Sequence, residues 1–255
     1  MLVAERHDRI VQLVNERGSM RVTELSETFG VTEETIRRDL DALEARGALR
    51  RSHGGAVKVS EQLESPYFER VAINAAEKKE IAEEALKYVK AGDQIILDAS
   101  TTAFYMAAAM ANIPLTVLTN SIKVAAELAH KERITVIATG GILSPRSLSF
   151  VGPSAERALD MYHVNKAFLS CKGVHFERGI TESNELQALV KRKMLQIADE
   201  CYLLVDHSKF DVQDFAHVGQ LADVHMIVTD AMADPAYVEQ LRIRQLSVVQ
   251  VQKHA

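Results

Sequence analysis

Seven short runs of aliphatic and β-branched residues recur between residues 94 and 251, and helical stretches separate them. This alternation limits the fold more than any other feature, because strands that alternate with helices favour a mainly parallel sheet covered on both faces. We therefore predict an α/β fold for residues 76–255. The predicted strands are Gln94–Asp98, Leu115–Thr119, Arg133–Thr139, Lys166–Ser170, Cys201–Asp206, His225–Thr229 and Leu246–Val251. The predicted helices are Thr102–Ala111, Ile122–His130, Pro153–Met161, Asn184–Glu200 and Pro235–Leu241.

Residues 1–58 have a different pattern, in which apolar residues repeat at helical spacing and charges are dense. The pattern predicts three helices, and only Gly30-Val31 separates the second from the third, as in a helix-turn-helix. Two short runs around Gly54-Gly55 then predict a β-hairpin, or wing. The predicted organisation is a winged helix-turn-helix domain over residues 1–58, a polar linker over residues 59–75, and a larger α/β domain over residues 76–255.

The third helix exposes the side chains that we expect to read DNA. Its apolar stripe turns Arg37 and Arg38 outward and leaves Thr35 at the edge of the outer face. In a helix-turn-helix, residues near the start of this helix reach base edges in the major groove, and the fork of an arginine matches two acceptors of guanine. The alternative is an ordinary solvated helix face. The order of helix, helix-turn-helix and basic wing favours binding to double-stranded operator DNA.

The wing has a local excess of positive charge. Residues 45–58 contain four basic residues and no acid, whereas residues 1–58 as a whole contain ten of each sign. We therefore expect Arg50 and Arg51 to contact phosphates, which supply much of the affinity for DNA. His53 is either a turn residue or a further phosphate contact. Because the chain has a net charge of −5, the case for DNA binding depends on these local residues.

Several classes of protein are disfavoured by what the sequence lacks. Cys171 and Cys201 have no metal-ligand spacing, and we expect neither a metal nor a cofactor. No run has the length of a transmembrane helix and no signal peptide is apparent, so we expect a cytoplasmic protein without a membrane partner. A sugar kinase is excluded because the chain has no P-loop motif.

Polar residues follow five of the predicted strands at the point where each strand ends. Ligands of parallel α/β sheets bind beyond the carboxyl ends of the strands. Hydroxyls at the start of a helix suit a phosphate, lysines add positive charge, and carboxylates and amides can hold sugar hydroxyls. Any one of these residues could be a simple cap or turn, but five clusters together indicate a site for a phosphorylated sugar. The expected effector-binding residues are Asp98, Ser100, Thr101, Thr102, Asn120, Thr139, Gly140, Gly141, Lys172, Glu182, Asp206 and Lys209.

Two motifs carry a resemblance to a known family. The run Thr35-Ile36-Arg37-Arg38-Asp39-Leu40 and the run Arg51-Ser52-His53-Gly54-Gly55-Ala56 resemble the signature of the DeoR family of bacterial sugar-operon regulators, and the likeness covers nearly the whole chain. The resemblance implies a C-terminal domain similar to ribose-5-phosphate isomerases. It also implies a repressor that a phosphorylated sugar switches. The weakly basic head itself argues for a homo-oligomer of at least two chains, since two half-sites multiply affinity, and the resemblance points to a tetramer as the alternative to a dimer. Residues 76–255 are thus expected to be the effector-binding and oligomerisation domain.

The first strand-end motif departs from the family pattern. The family often has Asp-x-Gly-Thr-Thr, whereas this chain has Asp98-Ala99-Ser100-Thr101-Thr102, without the glycine that lets backbone approach a phosphate. Together with Ser170-Cys171-Lys172-Gly173, this variant more closely resembles regulators of fucose and rhamnose operons. The resemblance therefore points to a deoxyketose 1-phosphate as effector.

The main alternative is a sugar-phosphate isomerase-like enzyme with a DNA-binding appendage. An isomerase needs a base that moves a proton between adjacent carbons and a group that stabilises the enediolate. Asp98, Glu182 or Asp206 could be such a base, and Lys172 or Lys209 such a stabiliser. A helix-turn-helix has no role in isomerisation, so the sequence favours a regulator that is not an enzyme.

Overall fold

The computed structural model describes residues 3–17, 19–45, 48–52, 54–58 and 65–252. The chain divides into two units, residues 1–63 and residues 64–255. The linker predicted over residues 59–75 differs from the structure in its second half. There Tyr67–Ala72 form a helix of the second unit, because the ring of Tyr67 is buried and its N–H donates to the carbonyl of Arg146.

The N-terminal unit is a winged helix-turn-helix. Its helices are α1 (Val3–Arg17), α2 (Val22–Phe29) and α3 (Glu33–Ala45), and its strands are β1 (Ser19–Arg21), β2 (Leu49–Ser52) and β3 (Gly55–Lys58). The chain turns between α2 and α3 at Gly30, whose φ of 62° is a left-handed conformation that glycine accepts. Ile10, Leu25 and Leu40 bring the apolar stripes of the helices into one core. Strand β1 was not predicted, since three residues are too short to show a strand pattern.

The seven predicted strands all occur, and they form one sheet in the described residues 65–252. The strands of the C-terminal unit are β4 (Gln94–Leu97), β5 (Leu115–Thr119), β6 (Ile134–Ala138), β7 (Ile142–Ser144), β8 (Ser149–Val151), β9 (Val164–Leu169), β10 (Gly173–His175), β11 (Gly179–Glu182), β12 (Ala198–Val205), β13 (Ala216–Gly219), β14 (Met226–Thr229) and β15 (Val248–Gln250). The main sheet has the parallel order β15-β14-β12-β9-β4-β5-β6. Strands β7 and β8 pair with each other, and β10, β11 and β13 form a small antiparallel sheet.

Helices cover both faces of the main sheet. They are α4 (Tyr67–Ala72), α5 (Ala75–Leu86), α6 (Thr101–Ala109), α7 (Ile122–Leu128), α8 (Pro153–Leu159), α9 (Glu185–Gln196) and α10 (Pro235–Ile243). Successive residues of β4 point to opposite faces, so that Ile95 joins one apolar core and Ile96 joins the other. The helix predicted over Asn184–Glu200 is too long at its end, because Ala198 already pairs with Val164 as the first residue of β12.

Candidate effector pocket and DNA-reading surface

A cavity lies where the strand order of the main sheet reverses. The chain runs from β4 outward through β5 and β6 on one side, whereas β9 lies on the other side of β4. A crevice forms at such a switch point, beyond the carboxyl ends of the two strands, and this is where open α/β sheets bind ligands. The cavity has a volume of about 350 Å³, and residues that follow β4, β9, β11 and β12 line it.

Many of the predicted effector residues meet in this cavity. Those that line it are Ser100, Thr101, Thr102, Lys172, Glu182, Asp206 and Lys209. Among the described residues, its wall also includes three cationic side chains that the sequence analysis did not single out, namely Arg70, Lys78 and Lys191. Cations therefore outnumber carboxylates in the wall, which makes the cavity suitable for an anion.

The start of α6 forms one end of the cavity. Ser100 is the N-cap, and its hydroxyl accepts a hydrogen bond from the N–H of Ala103 at 3.1 Å. The first N–H groups of a helix have no partner within the helix and carry a partial positive charge. Together with the hydroxyls of Thr101 and Thr102, which also line the cavity, they form a donor set that suits a phosphate.

Asp98 lies beneath the cavity and does not line it. It is completely buried, and its carboxylate accepts hydrogen bonds from the N–H of Ser100 at 3.0 Å and from the N–H of Ser170 at 2.9 Å. This one side chain therefore joins the segments that follow β4 and β9. The structure gives Asp98 a supporting position, in contrast to the direct contact with effector that the sequence predicted.

Lys191 of α9 neutralises the acids at the base of the cavity. Its ammonium lies 2.6 Å from Glu182 Oε1 and 3.0 Å from Asp98 Oδ2, and it also donates to the carbonyl of Ser170. Burial opposes the charge on Lys191, but the two carboxylates outweigh burial and raise the pKa of this lysine. All three ammonium donors thus have protein partners, so Lys191 holds the site together rather than offering a vacant donor.

Hydrogen bonds from Asn74 and Ser208 hold the carboxylate of Asp206 in place. Its Oδ1 accepts from the N–H of Ser208 at 3.1 Å, from the hydroxyl of Ser208, and from Nδ2 of Asn74 at 2.9 Å. Burial by itself raises the pKa of Asp206, but Lys209, these hydrogen bonds and Lys78 lower it below its usual value. The carboxylate is therefore charged at neutral pH and can accept hydrogen bonds from sugar hydroxyls.

Lys78 is a buried cation beside the last turn of α4. Its ammonium donates to the carbonyls of Arg70 and Ile73, each at 2.6 Å, and burial lowers its pKa to about 8. The sequence did contain a signal for this residue. Lys78 precedes Ile81 and Ala82 by three and four positions and so lies on the apolar stripe of α5, where an ordinary solvated lysine is not expected.

The remaining predicted effector residues are absent from the described residues that line the cavity. They follow β5 and β6, which lie one and two strands away from the switch point. Nδ2 of Asn120 donates to the carbonyl of Phe150, and the hydroxyl of Thr139 donates to the carbonyl of Gly140. Gly141 has a φ of 119°, and a Cβ there would lie 2.9 Å from the carbonyl oxygen of Val151. Asn120 and Gly141 therefore help to position the β7–β8 hairpin.

The outer face of α3 carries the residues predicted to read DNA. Arg38 is largely exposed and lies 3.4 Å from a carboxylate oxygen of Glu34, while Arg37 lies 2.6 Å from one of Glu33. The hydroxyl of Thr35 bonds to that of Thr32. Arg50 and Arg51 lie on β2, but their side chains, like the whole of His53, are outside the described residues.

A buried ion pair fixes α3 against α1. Asp39 accepts from Arg6 Nε at 2.6 Å and bonds to His7 Nε2 at 3.0 Å. Burial raises the pKa of Asp39, but the hydrogen bonds from Arg6 and His7 outweigh burial and lower it. Asp39 is the residue after Arg38, so this ion pair anchors the inner face of the helix whose outer face carries the arginines.

The described part of the chain lacks two further classes of feature. No cluster of histidine, cysteine and acidic side chains there is arranged to hold a metal ion. None of the helices described combines the length and the apolar character needed to cross a bilayer.

Comparison with known families matches both units. The DeoR-like helix-turn-helix domain matches residues 6–62, and the DeoR C terminal sensor domain matches residues 73–231. In fold, the chain is similar to ribose 5-phosphate isomerase A from Methanocaldococcus jannaschii, with a TM-score of 0.41 and 21% identity over 54% of this chain and 55% of that chain.

Curated relatives match over nearly the full length. The chain is 54% identical to the "Uncharacterized HTH-type transcriptional regulator YulB" of Bacillus subtilis (strain 168) over 98% of both chains. It is 40% identical to the "L-fucose operon activator" of Haemophilus influenzae over 88% of this chain and 91% of the relative. Two matched domains and these identities show that the chain belongs to the DeoR family of helix-turn-helix transcriptional regulators.

Proposed function

We propose that the chain regulates a sugar-catabolism operon, and that a phosphorylated sugar in the cavity switches its affinity for operator DNA. The observation that carries this proposal is the cavity at the switch point, where the start of α6 and several cations meet two carboxylates. Its volume of about 350 Å³ lies within the range of about 300–1,000 Å³ that is usual for small-molecule pockets.

The two ends of the ligand have separate partners in this proposal. The phosphate binds at Ser100, Thr101 and Thr102, with Lys172 and Lys209 supplying charge-assisted hydrogen bonds. The hydroxyls of the sugar donate to Glu182 and Asp206, which line the same cavity.

The wall of the cavity also supports a deoxy sugar. Ile73, Cys171 and Val212 contribute apolar surface to it, and such surface suits a methyl group better than a hydroxymethyl group. The H. influenzae relative is named for the L-fucose operon, and fucose is a deoxyhexose. A deoxyketose 1-phosphate is therefore the effector class that we propose.

On the DNA side, Arg37, Arg38 and Thr35 read bases and nearby phosphates, while Arg50, Arg51 and His53 contact the phosphate backbone. A head with equal numbers of acidic and basic residues binds a single half-site weakly. We therefore propose at least a dimer, because two linked heads multiply affinity. The regulator acts on chromosomal DNA in the cytoplasm, and the effector releases it from the operator.

The environments of the three acids that could serve as a general base disfavour the enzymatic alternative. A general base needs a pKa near the working pH. Asp98 and Glu182 both pair with Lys191, and the pKa of Asp206 is lowered further below neutrality. Asp206 is thus a weakly basic anion, and Asp98 and Glu182 are both engaged in ion pairs with Lys191. This arrangement suits binding rather than proton transfer. We infer that the cavity binds its ligand without converting it.

A thermal-shift screen of the full chain tests the proposal. L-fuculose 1-phosphate, a deoxyketose 1-phosphate, should raise the melting temperature, whereas the unphosphorylated sugar should not, because ligands that bind the native state stabilise it. The same compound should release the protein from a duplex selected out of a random library. No shift with any sugar phosphate contradicts the proposal, and conversion of the compound, followed by NMR, favours the isomerase. Tighter DNA binding with the sugar phosphate would identify an activating effector.

A further inference from the structure

Asn74 lies between α4 and α5 and makes an unusual use of its side chain. It occupies the N-cap position of α5 with a left-handed φ of 50°, but its side chain caps no N–H of that helix. An N-cap asparagine normally accepts a hydrogen bond from the helix that it precedes. Here Nδ2 instead donates to Asp206 Oδ1 at 2.9 Å and lies 3.4 Å from Ser208 Oγ. The amide thus spans 132 residues of sequence to reach the cavity.

The segment before Asn74 forms one wall of the cavity. Arg70 and Ile73 line it, and both carbonyls accept from the ammonium of Lys78. The hydroxyl of Tyr105 donates to the neighbouring carbonyl of Val71 at 2.9 Å. Side chains of α5 and α6 therefore satisfy carbonyls at the end of α4. Among the described residues, the bonds from Asn74 to Asp206 and Ser208 tie this wall to the opposite side of the cavity.

We propose that Asn74 is a positioning residue of the effector site, which fixes the carboxylate of Asp206 and, through the same bond, holds α4 against the cavity. This inference rests on the function proposed above. The described hydrogen bonds of the Asp206 carboxylate all converge on Oδ1, which leaves Oδ2 for a sugar hydroxyl. Likewise, two of the three ammonium donors of Lys78 go to α4, which leaves one for the phosphate.

As a consequence, ligand binding in the cavity and docking of α4 against it are thermodynamically coupled. A ligand that contacts Asp206 on one side and Arg70 on the other would bridge the same two walls that the bond from Asn74 to Asp206 joins. By linkage, whatever holds α4 in place favours the ligand, and the ligand favours a docked α4 to the same extent. In sequence, α4 is the first described helix after residue 63, where the N-terminal unit ends, so the helix coupled to occupancy is also the helix of the C-terminal unit that is nearest in sequence to the DNA-binding unit.

Two variants separate this role from a merely conformational one. Asn74→Gly removes the amide but accepts a positive φ freely. Asn74→Asp keeps the shape and tolerates the same backbone, but it replaces the donor by a second carboxylate beside Asp206. Gln245→Gly is the matched control, because Gln245 is also a non-glycine residue with a left-handed φ, of 64°, and is exposed in the turn after α10.

The first measurement is hydrogen exchange of the full-length protein without ligand. Asn74→Gly and Asn74→Asp should speed exchange of the amides of α4 relative to both the wild type and Gln245→Gly. Equal exchange in all four proteins overturns the inference, whatever the sugars do. This arm needs no effector, so it decides the role of the Asn74 bond even if the proposed function fails.

The second measurement is calorimetry with L-fuculose 1-phosphate, with inorganic phosphate as the phosphate-only probe. Loss of a hydrogen bond to a charged group should weaken binding of the sugar phosphate by about tenfold or more in Asn74→Gly. Asn74→Asp should weaken it further, since a second carboxylate repels that of Asp206, and Gln245→Gly should bind as the wild type does. Wild-type affinity in both Asn74 variants overturns the inference, whereas a wild type that binds no sugar phosphate overturns the proposed function instead.

Discussion

The ammonium of Lys191 lies 2.6 Å from Glu182 Oε1 and 3.0 Å from Asp98 Oδ2, so that one buried cation joins the carboxyl ends of β4 and β11. Both acids are themselves buried, and a buried acid without a partner is costly. The lysine is therefore required for the shape of the cavity, even though all its donors are used within the protein.

Replacement of Lys191 by methionine should lower the free energy of unfolding of the C-terminal unit by about 3–5 kcal/mol, because it leaves two buried carboxylates uncompensated. Lys193→Met on the same helix is the control, since Lys193 pairs with a half-exposed Asp160 and such pairs contribute about 0–1 kcal/mol. Urea unfolding followed by far-ultraviolet circular dichroism measures both. The raised pKa of Lys191 means that its contribution is complete below the unfolded-state pKa and is lost only as pH rises through the higher folded-state pKa, in alkaline solution. Equal losses in the two variants would contradict this assignment.

Lys172→Ala should separate the two functions of the protein. Loss of a charge-assisted hydrogen bond should weaken binding of the sugar phosphate by about 1.5–3 kcal/mol, which is more than tenfold, while operator affinity stays unchanged. In cells the variant should remain repressing when the sugar is supplied. Lys87→Ala is the control, because Lys87 is an exposed lysine paired with Glu84. Calorimetry measures the affinity for the sugar phosphate, and an operator-release assay measures the switch. If Lys172→Ala matches the wild type in both, Lys172 is not part of the phosphate site.

Effector affinity should fall as pH rises through about 8. Lys78 has a pKa of about 8 because burial opposes its charge, and only the charged form attracts a phosphate. Above this pH the affinity should decline with pH by at most about tenfold per unit, and binding should be accompanied by proton uptake. Titrations at several pH values, in buffers of different ionisation enthalpy, measure both quantities. A Lys78→Gln variant should lack this component, and an identical profile in the variant would assign the pH dependence to another group.

Arg38→Ala should cost about 1–3 kcal/mol at the selected operator duplex and reduce preference at one base position. Its outward position on α3 and high exposure are the reasons. Arg242→Ala provides the comparison, since Arg242 of α10 is likewise a surface arginine that pairs with an acid about one helical turn earlier. Fluorescence anisotropy at fixed salt gives both affinities. If Arg38→Ala binds as tightly as Arg242→Ala with the same base preference, Arg38 does not read DNA.

The sequence could predict those features of the fold and the site that depend on residues close together in the chain. The sheet was predictable because each strand is a short apolar run, and Ser100, Lys172 and Asp206 were predictable because strand ends of a parallel sheet share one edge. The strand order was not predictable in this way, so Asn120 and Thr139 were grouped with a cavity that lies one and two strands away. Lys191 and Asn74 were missed for a related reason. Their partners are distant in sequence, and only the fold brings them together.

The acids at the start of α3 have a consequence for how the protein finds its operator. Glu33 and Glu34 pair with Arg37 and Arg38 in the described structure. In the DNA-reading role proposed for these arginines, duplex DNA would have to displace the carboxylates first. Random sequence offers only backbone charge in exchange, whereas a matched site also offers base edges. Glu33 and Glu34 would therefore compete with DNA for the two arginines, which would shorten the residence time on non-specific sequence. With the proposed role of the arginines, we would expect the protein to search by frequent dissociation and rebinding more than by long sliding, with short residence times on non-specific DNA.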